Sequence, residues 1–572
     1  MEQDFQTALS LLKQHNALPS AIAETHLGRA WLYVKQRNYS AALADWTEAQ
    51  KLSKTESWPG FRWLVRAEIA RGTRDFPSAH QAFQKAMETA RLTGAPASDI
   101  GWRALYGVGS LHLAEGQRRK AIDTWKQALG ELDLTTRQIG VDAIGGFLGD
   151  RQHLTRDLME VLIEAGQIDE AVLVADRSRA HTLQALDAQH RLERLTPAQM
   201  ETWSTHIQSY MQLRSSFDPT AESHCLEVPR DEVAACEAKR QQRTKALTEH
   251  LDAAYALLDE AAGSVHSVSR LSEIQQALRP KEALLVVASV EQEAQGQAQW
   301  RSFWVTHSTV EAGTPSPDPA SLWLSRLPAL DHLFLVGDAP SVRGLSARLD
   351  TDEQPLGAKV QMSELPFAGL LTRRDKPTNT GAPLVIADPT RQYQGALLAG
   401  DIAARHVPDA RRLDREAATR APVLDGLTDA SVFHFSGHAE QKSGDPWTGA
   451  LLLAGQTSLT ASDVLIHRPQ VGLAVLAACG TGAGHTVSGD DTLSLAEAFI
   501  AAGSQTVIAT DRAIEAEAAE RFAKAFYGHG GAQKPAEAFR KTLRDLHRQG
   551  DPHWAHWRLL GFPHSATAAP RR

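Results

Sequence analysis

The sequence predicts two architectures in one chain: all-α helical repeats on the N-terminal side and, on the C-terminal side, an α/β domain with a mainly parallel sheet flanked by helices. Three observations predict this. A small–aromatic–small pattern recurs through the first third of the chain. After Leu271, continuous apolar runs of strand length replace it. Amphipathic segments with helical spacing accompany those runs, as expected of parallel strands covered on both faces.

The repeats come first. Ala42, Trp46 and Ala49 recur as Ala79, Phe83 and Ala86 and again as Ala121, Trp125 and Ala128. Steps of four and three put each trio on one helical face, small residues marking a close approach and the aromatic filling the gap. Helical segments carrying Ala30 and Tyr33, Ala67 and Ala70, and Gly109 precede the trios, so each unit reads as a helical hairpin. The spacings of 37 and 42 residues resemble those of tetratricopeptide repeats with longer connections. A weaker fourth unit carries Gly166, Ile168 and Ala171. These repeats are assigned to residues 1–185, with an ordinary helical bundle as the competing reading.

Residues 186–270 read as a polar helical spacer hairpin, interrupted at Asp218-Pro219. Cys225 and Cys236 fall here beside His224, but eleven residues apart with no second pair they match no zinc spacing. Residues 271–572 form the α/β domain. Its strand candidates are ALLVVASV, SFWVTH, HLFLVG, PLVIAD, SVFHF, VGLAVLAA, QTVIAT and a final WAHWRLLGF. Its helix candidates include LSLAEAFIAAG, EAAERFAKAFYGHG and PAEAFRKTLRDLHRQG.

Composition narrows the function. Asp and Glu number 68 against 60 Lys and Arg, without a basic block, so no nucleic-acid surface is expected. The apolar runs are too short to span a bilayer and the N-terminal segment lacks a basic leader, which points to a cytoplasmic protein with no membrane partner. Three cysteines cannot build a disulfide framework and leave thiol chemistry to single residues. No metal or cofactor is expected.

Chemistry gathers at two strand ends. SVFHF leads into Ser436-Gly437-His438-Ala439, and VGLAVLAA leads into Cys479-Gly480-Thr481-Gly482. If these strands are neighbours, both side chains emerge on one rim, where an imidazole can take the thiol proton. The main-chain N–H groups of Gly437, Ala439 and Cys479 are candidate oxyanion donors. A structural buried thiol is the plainer reading of Cys479 taken alone. His434 alternates with Phe433 and Phe435 and reads as a core residue or as one that supports the site from behind, and Ser436 lacks the Gly-x-Ser-x-Gly context of a serine nucleophile. Gly480-Thr-Gly482 fails as a dinucleotide fingerprint because His485 stands where the third glycine is required.

A strand-end histidine followed by a strand-end Ala-Cys-Gly resembles the caspase signature. More specifically, the chain from about Leu271 to Phe562 resembles the CHAT domain, a caspase- and separase-related peptidase module commonly fused to tetratricopeptide repeats. The similarity is carried by LLAGDIAARHVPDARRLDREAATRAPVLDGLTDASVFHFSGHA, by GALLLAGQTSLTASDVLIHRPQVGLAVLAACGTGAG and by GDDTLSLAEAFIAAGSQTVIAT. The resemblance implies a caspase-like fold, with His438 as base and Cys479 as nucleophile. Two departures stand out: Ala439 where the family has glycine, and Asp511-Arg-Ala-Ile-Glu515 where it has a Leu-Trp-Pro-Val-Asp-like stretch. Asp511 or Glu515 either receives a basic substrate side chain or is a solvated acid at a helix N-terminus. Asp490 and Asp491 are either pocket residues or caps of the following helix, and capping is the favoured reading.

The implied function is cleavage of a specific protein, with an activating partner acting through the repeats. Relatives of this kind act in bacterial defence and regulated cell death, some by cutting gasdermins, so a gasdermin is one expected substrate. The alternative is a non-catalytic repeat scaffold with a protease-like binding domain.

Overall fold

The computed structural model describes residues 2–15, 17–52, 60–92, 99–138, 151–177, 195–215, 242, 246, 249–250, 253–254, 256–257, 270–291, 298–337, 339–375, 378–440, 449–483, 485–488 and 491–563. Asp218-Pro219, Cys225, Cys236 and Asp490 lie outside these residues. Two compact units divide the chain, one from Met1–Ile139 and His153–Ala165, the other chiefly from Gly166–Arg572. No helix among the described residues is long and apolar enough to cross a membrane.

The first unit is helical: α1 (Glu2–Gln14), α2 (Pro19–Lys35), α3 (Tyr39–Leu52), α4 (Phe61–Gly72), α5 (Phe76–Leu92), α6 (Asp99–Ala114), α7 (Arg118–Gln138) and α8 (Arg151–Glu164). Pairing of α2 with α3, α4 with α5 and α6 with α7 gives the hairpins the trios predict. The small residues are there because an aromatic ring occupies the space. A Cβ added at Gly109 would stand 2.4 Å from the Trp125 indole, and one at Gly107 2.1 Å from the Phe83 ring. Trp125 Nε1 also donates to Tyr106 O at 2.9 Å, so its one polar atom is satisfied.

The second unit holds α9 (Ile168–Arg177), α10 (Pro197–Ser215), α11 (Leu271–Ala277), α12 (Gln394–His406), α13 (Arg420–Leu427), α14 (Ala461–His467), α15 (Leu495–Ala501), α16 (Ala516–Gly528) and α17 (Pro535–Arg548). Its strands are β1 (Glu282–Glu291), β2 (Gln299–Val305), β3 (Val310–Ala312), β4 (His332–Val336), β5 (Gln361–Glu364), β6 (Leu384–Ala387), β7 (Arg411–Asp414) and β8 (Val432–Ser436). They continue as β9 (Ala439–Glu440), β10 (Ala450–Leu453), β11 (Thr457–Thr460), β12 (Leu473–Ala477), β13 (His485–Ser488), β14 (Asp491–Leu493), β15 (Thr506–Thr510) and β16 (Trp557–Gly561). Eleven of them form one sheet in the order β3-β2-β1-β4-β5-β16-β15-β12-β8-β6-β7. The central pairs are parallel, with β16 antiparallel to β15 and a β1–β2–β3 meander at one edge.

Every strand expected from an apolar run is present. β5, β7, β9 and β14, which read QMSE, RRLD, AE and DTL, carry no such run and are fixed by pairing instead. The core beneath the β6–β8–β12–β15 half is built from Val385, Val475 and Ile508 against Phe522, Phe526 and Phe539 of α16 and α17. Helix α9, the expected fourth repeat helix, packs on β1 and β3. The Asp176 carboxylate at its end accepts from the N–H of Ala368 (2.5 Å) and Gly369 (3.4 Å). The capping reading of Asp491 is corrected at α15, while Asp490 lies outside the described residues. Ser494 caps that helix, accepting from Glu497 N at 3.1 Å while the Glu497 carboxylate accepts from Ser494 N at 2.7 Å. Asp491 lies upstream in β14.

Candidate active site

Strands β6, β8, β12 and β15 are parallel neighbours and end on one rim of the sheet. Ala387, Ser436 and Ala477 form a single rung across β6, β8 and β12. From that rung the chain runs two residues to His438 and two to Cys479, so both leave adjacent strands at the same height. His438 and Cys479 are each partly exposed, whereas His434 and Ser436 are fully buried. Ser436 Oγ is spent on the carbonyl of Ala396 at 2.7 Å.

The turn after β12 is braced from three sides. Gly480 has φ +64°, a conformation that glycine adopts at little cost. Its N–H donates to Arg512 O at 3.0 Å, and the Gly482 N–H to Thr510 O at 2.8 Å. Thr510 Oγ1 donates to Ala478 O at 2.6 Å, and Thr481 Oγ1 to Leu476 O at 3.0 Å. Arg558 of β16 donates from Nη1 to Gly482 O at 2.5 Å and from Nε to the Glu364 carboxylate at 2.8 Å. The thiol of Cys479 donates to Ile514 O at 3.5 Å.

His438 faces the segment that follows β6. Its Nε2 donates to Gln392 Oε1 at 2.6 Å, and the edge of one ring meets the face of the other where Tyr393 lies 4.4 Å from it. Buried Asp388 shapes that segment. One carboxylate oxygen accepts from the N–H of both Gln392 (2.9 Å) and Tyr393 (3.1 Å), and the other lies 3.7 Å from Arg415 Nε.

Ala439 has no positive φ, so the methyl group imposes no strain. It opposes Leu451 across β9 and β10, with the ladder bond running from Leu452 N–H to His438 O. That makes the pair non-hydrogen-bonded and keeps the Ala439 N–H out of the ladder. Among the described residues, the main-chain N–H groups of Gly437 and Cys479 meet no acceptor.

The Asp511–Glu515 stretch reaches Cys479 through main chain, by the Arg512 and Ile514 carbonyls. Its two carboxylates have histidine neighbours instead: Asp511 Oδ1 lies 3.4 Å from His556 Nδ1, and Glu515 Oε2 lies 3.7 Å from His553 Nε2. Burial pushes the Asp511 carboxyl above its ordinary range, against the pull of His556 and Arg512. Glu515 stands exposed at the N-cap of α16 without capping it through its side chain.

Gln392, Tyr393, Asp388, Thr510 and Arg558 are the site residues that sequence reasoning missed. Asp388 closes the apolar run PLVIAD, so the strand-end criterion that selected His438 and Cys479 also selects it. Beyond the same segment lies a cavity of about 750 Å³ lined by Arg391, Glu416, Glu440, Leu453 and Thr457.

The CHAT domain family matches residues 240–562. None of the curated proteins compared matches the chain. Among solved structures, aspartyl phosphate phosphatase F from Bacillus subtilis aligns at 16% identity and a TM-score of 0.26, over 46% of this chain and 66% of that one. The Saccharomyces cerevisiae separase–securin complex aligns at 9% identity and a TM-score of 0.36, over 96% of this chain and 54% of that one. A second structure of the same complex gives the same values. The chain thus spans 66% and 54% of the length of these two solved chains.

Proposed function

This chain belongs to the CHAT domain family, and from that premise we propose that it is a cysteine endopeptidase with Cys479 as nucleophile and His438 as base. The observation that carries this reading is the Ser436–Ala477 rung, which brings an imidazole and a thiol off adjacent strands at one height. Donation from Nε2 to Gln392 leaves the lone pair of the neutral ring on Nδ1, the nitrogen that accepts the thiol proton. The thiolate adds to the scissile carbonyl, and its oxygen takes the charge against the N–H groups of Cys479 and Gly437, with Ala439 as a further donor. The imidazolium then protonates the departing amine, and water hydrolyses the acyl-enzyme.

The substrate of this reading is a specific protein, with a gasdermin as one candidate and bacterial defence or regulated cell death as the setting. Asp511 and Glu515 serve to receive a basic side chain. An activating partner on the repeats fits a resting site in which the hydrogen bonds of the dyad go to Gln392 and Ile514, not to each other. The experiment incubates wild type and Cys479→Ala with peptides carrying basic or acidic residues before the scissile bond, and with proteins encoded beside this one. Cleavage by wild type alone supports the reading. Equal cleavage by both removes Cys479 as nucleophile, and a binding role remains.

A further inference from the structure

We propose that His80, His112 and Glu115 form a zinc-binding site within the helical repeats. One ligand atom from each lies within 4.8 Å of the other two. His80 Nε2 is 3.1 Å from Glu115 Oε1, and His112 Nδ1 is 3.8 Å from Glu115 Oε2. Two imidazoles and a carboxylate at zinc bond lengths of about 2.0–2.2 Å would stand roughly 3.3–3.5 Å apart in a tetrahedral shell. Side-chain rotations would have to close the difference on binding.

The backbone that carries these groups is firmly set. His80 follows Ala79, which is fully buried on the packed face of α5, and His112 follows Leu111, equally buried on α6. Glu115 sits at the turn that ends α6, where Gly116 takes φ +75° and Gln117 N–H returns to His112 O at 2.7 Å. The two histidines therefore come from helices of successive hairpins, and Glu115 from the tight turn that closes the second of them.

An ion pair between His80 and Glu115 does not account for the whole cluster. It leaves His112 Nδ1 buried with no hydrogen-bond partner, and Gln117, whose Nε2 donates to Glu115 Oε2 at 3.2 Å, has its Oε1 in the same state. A buried polar atom without a partner costs about 1–3 kcal/mol. A divalent cation gives His112 Nδ1 a partner, and a water in the open fourth position would offer Gln117 Oε1 a proton. Side chains that are 34% (His80), 19% (His112) and 25% (Glu115) exposed leave a path for the ion. Zinc would then clasp α5 to α6 across the hairpin boundary, independently of any chemistry at Cys479.

The test uses the full chain, stripped with chelator and titrated with zinc chloride by equilibrium dialysis with metal analysis and by thermal melting. Wild type should bind one equivalent more than His80→Gln or His112→Asn. The variants should weaken that equivalent by roughly tenfold or more, and the zinc-dependent rise in melting temperature should disappear with it. Equal zinc content and equal melting shifts in wild type and His80→Gln would overturn the proposal, as would a wild type that takes up no zinc. His80→Gln is partly exposed and keeps the test valid if His112→Asn does not fold.

Discussion

His438 and Gln392 meet at 2.6 Å, ring nitrogen to side-chain oxygen, across the gap between the ends of β8 and β6. This contact holds the imidazole in place and, with Nε2 donating, leaves Nδ1 as the nitrogen that the proposed function assigns to the base. Gln392→Ala should lower kcat/KM on the order of 10- to 100-fold through misplacement of the ring. Gln392→Glu puts a carboxylate in its place, stabilises the imidazolium and should move the acid limb of the pH–rate profile upward. An unchanged profile in both variants would show that the segment after β6 only packs.

The two small residues flanking the proposed dyad should respond in opposite ways to substitution. Gly480 occupies the left-handed region, so Gly480→Ala should cost about 1–2 kcal/mol and slow alkylation of Cys479 by iodoacetamide. Ala439 has an ordinary φ, so Ala439→Gly should leave activity and folding nearly unchanged. Denaturant unfolding and alkylation rates read both.

His434 should make the second unit acid-sensitive. It is fully buried between β6 and β12, its Nδ1 bonded to the Tyr527 hydroxyl at 3.0 Å, and His406 stacks on the same tyrosine with ring centres 6.2 Å apart. Burial lowers its pKa from 6.5 to about 3. Between those values the unfolded chain binds a proton that the folded one does not, so stability is complete above pH 6.5 and is lost as the pH falls towards 3. From pH 7 to 5, wild type should lose about 2 kcal/mol more than His434→Gln in urea unfolding. Parallel losses would show that the histidine is protonated in the fold.

The first unit offers a packing test. Gly109→Ala forces a methyl to within 2.4 Å of Trp125, which the hairpin can relieve only by parting α6 from α7. The expected cost is about 1–3 kcal/mol, restored in part by pairing the change with Trp125→Phe. Unchanged melting of Gly109→Ala would mean that the indole has room to move.

The sequence determined the elements that depend on local burial. An apolar run of five residues has no solvent-tolerant conformation, so β1, β4, β6, β8, β12 and β15 were legible, and the aromatic trios announced the hairpins because a large ring demands a small neighbour. The strand-end rule likewise singled out His438 and Cys479, since Cys479 follows its apolar run directly and His438 stands two residues beyond the strand end at Ser436. Tertiary structure decided the rest. β5 and β7 are strands because neighbours offer them a ladder, and Ser494, rather than Asp491, caps α15 because β13 and β14 move the helix start downstream. The groups around the proposed dyad come from three separate segments: Gln392 after β6, Thr510 and Ile514 at the end of β15 and just beyond it, and Arg558 in β16. Their roles follow from parallel strands ending on one rim, a long-range fact that no local spacing encodes.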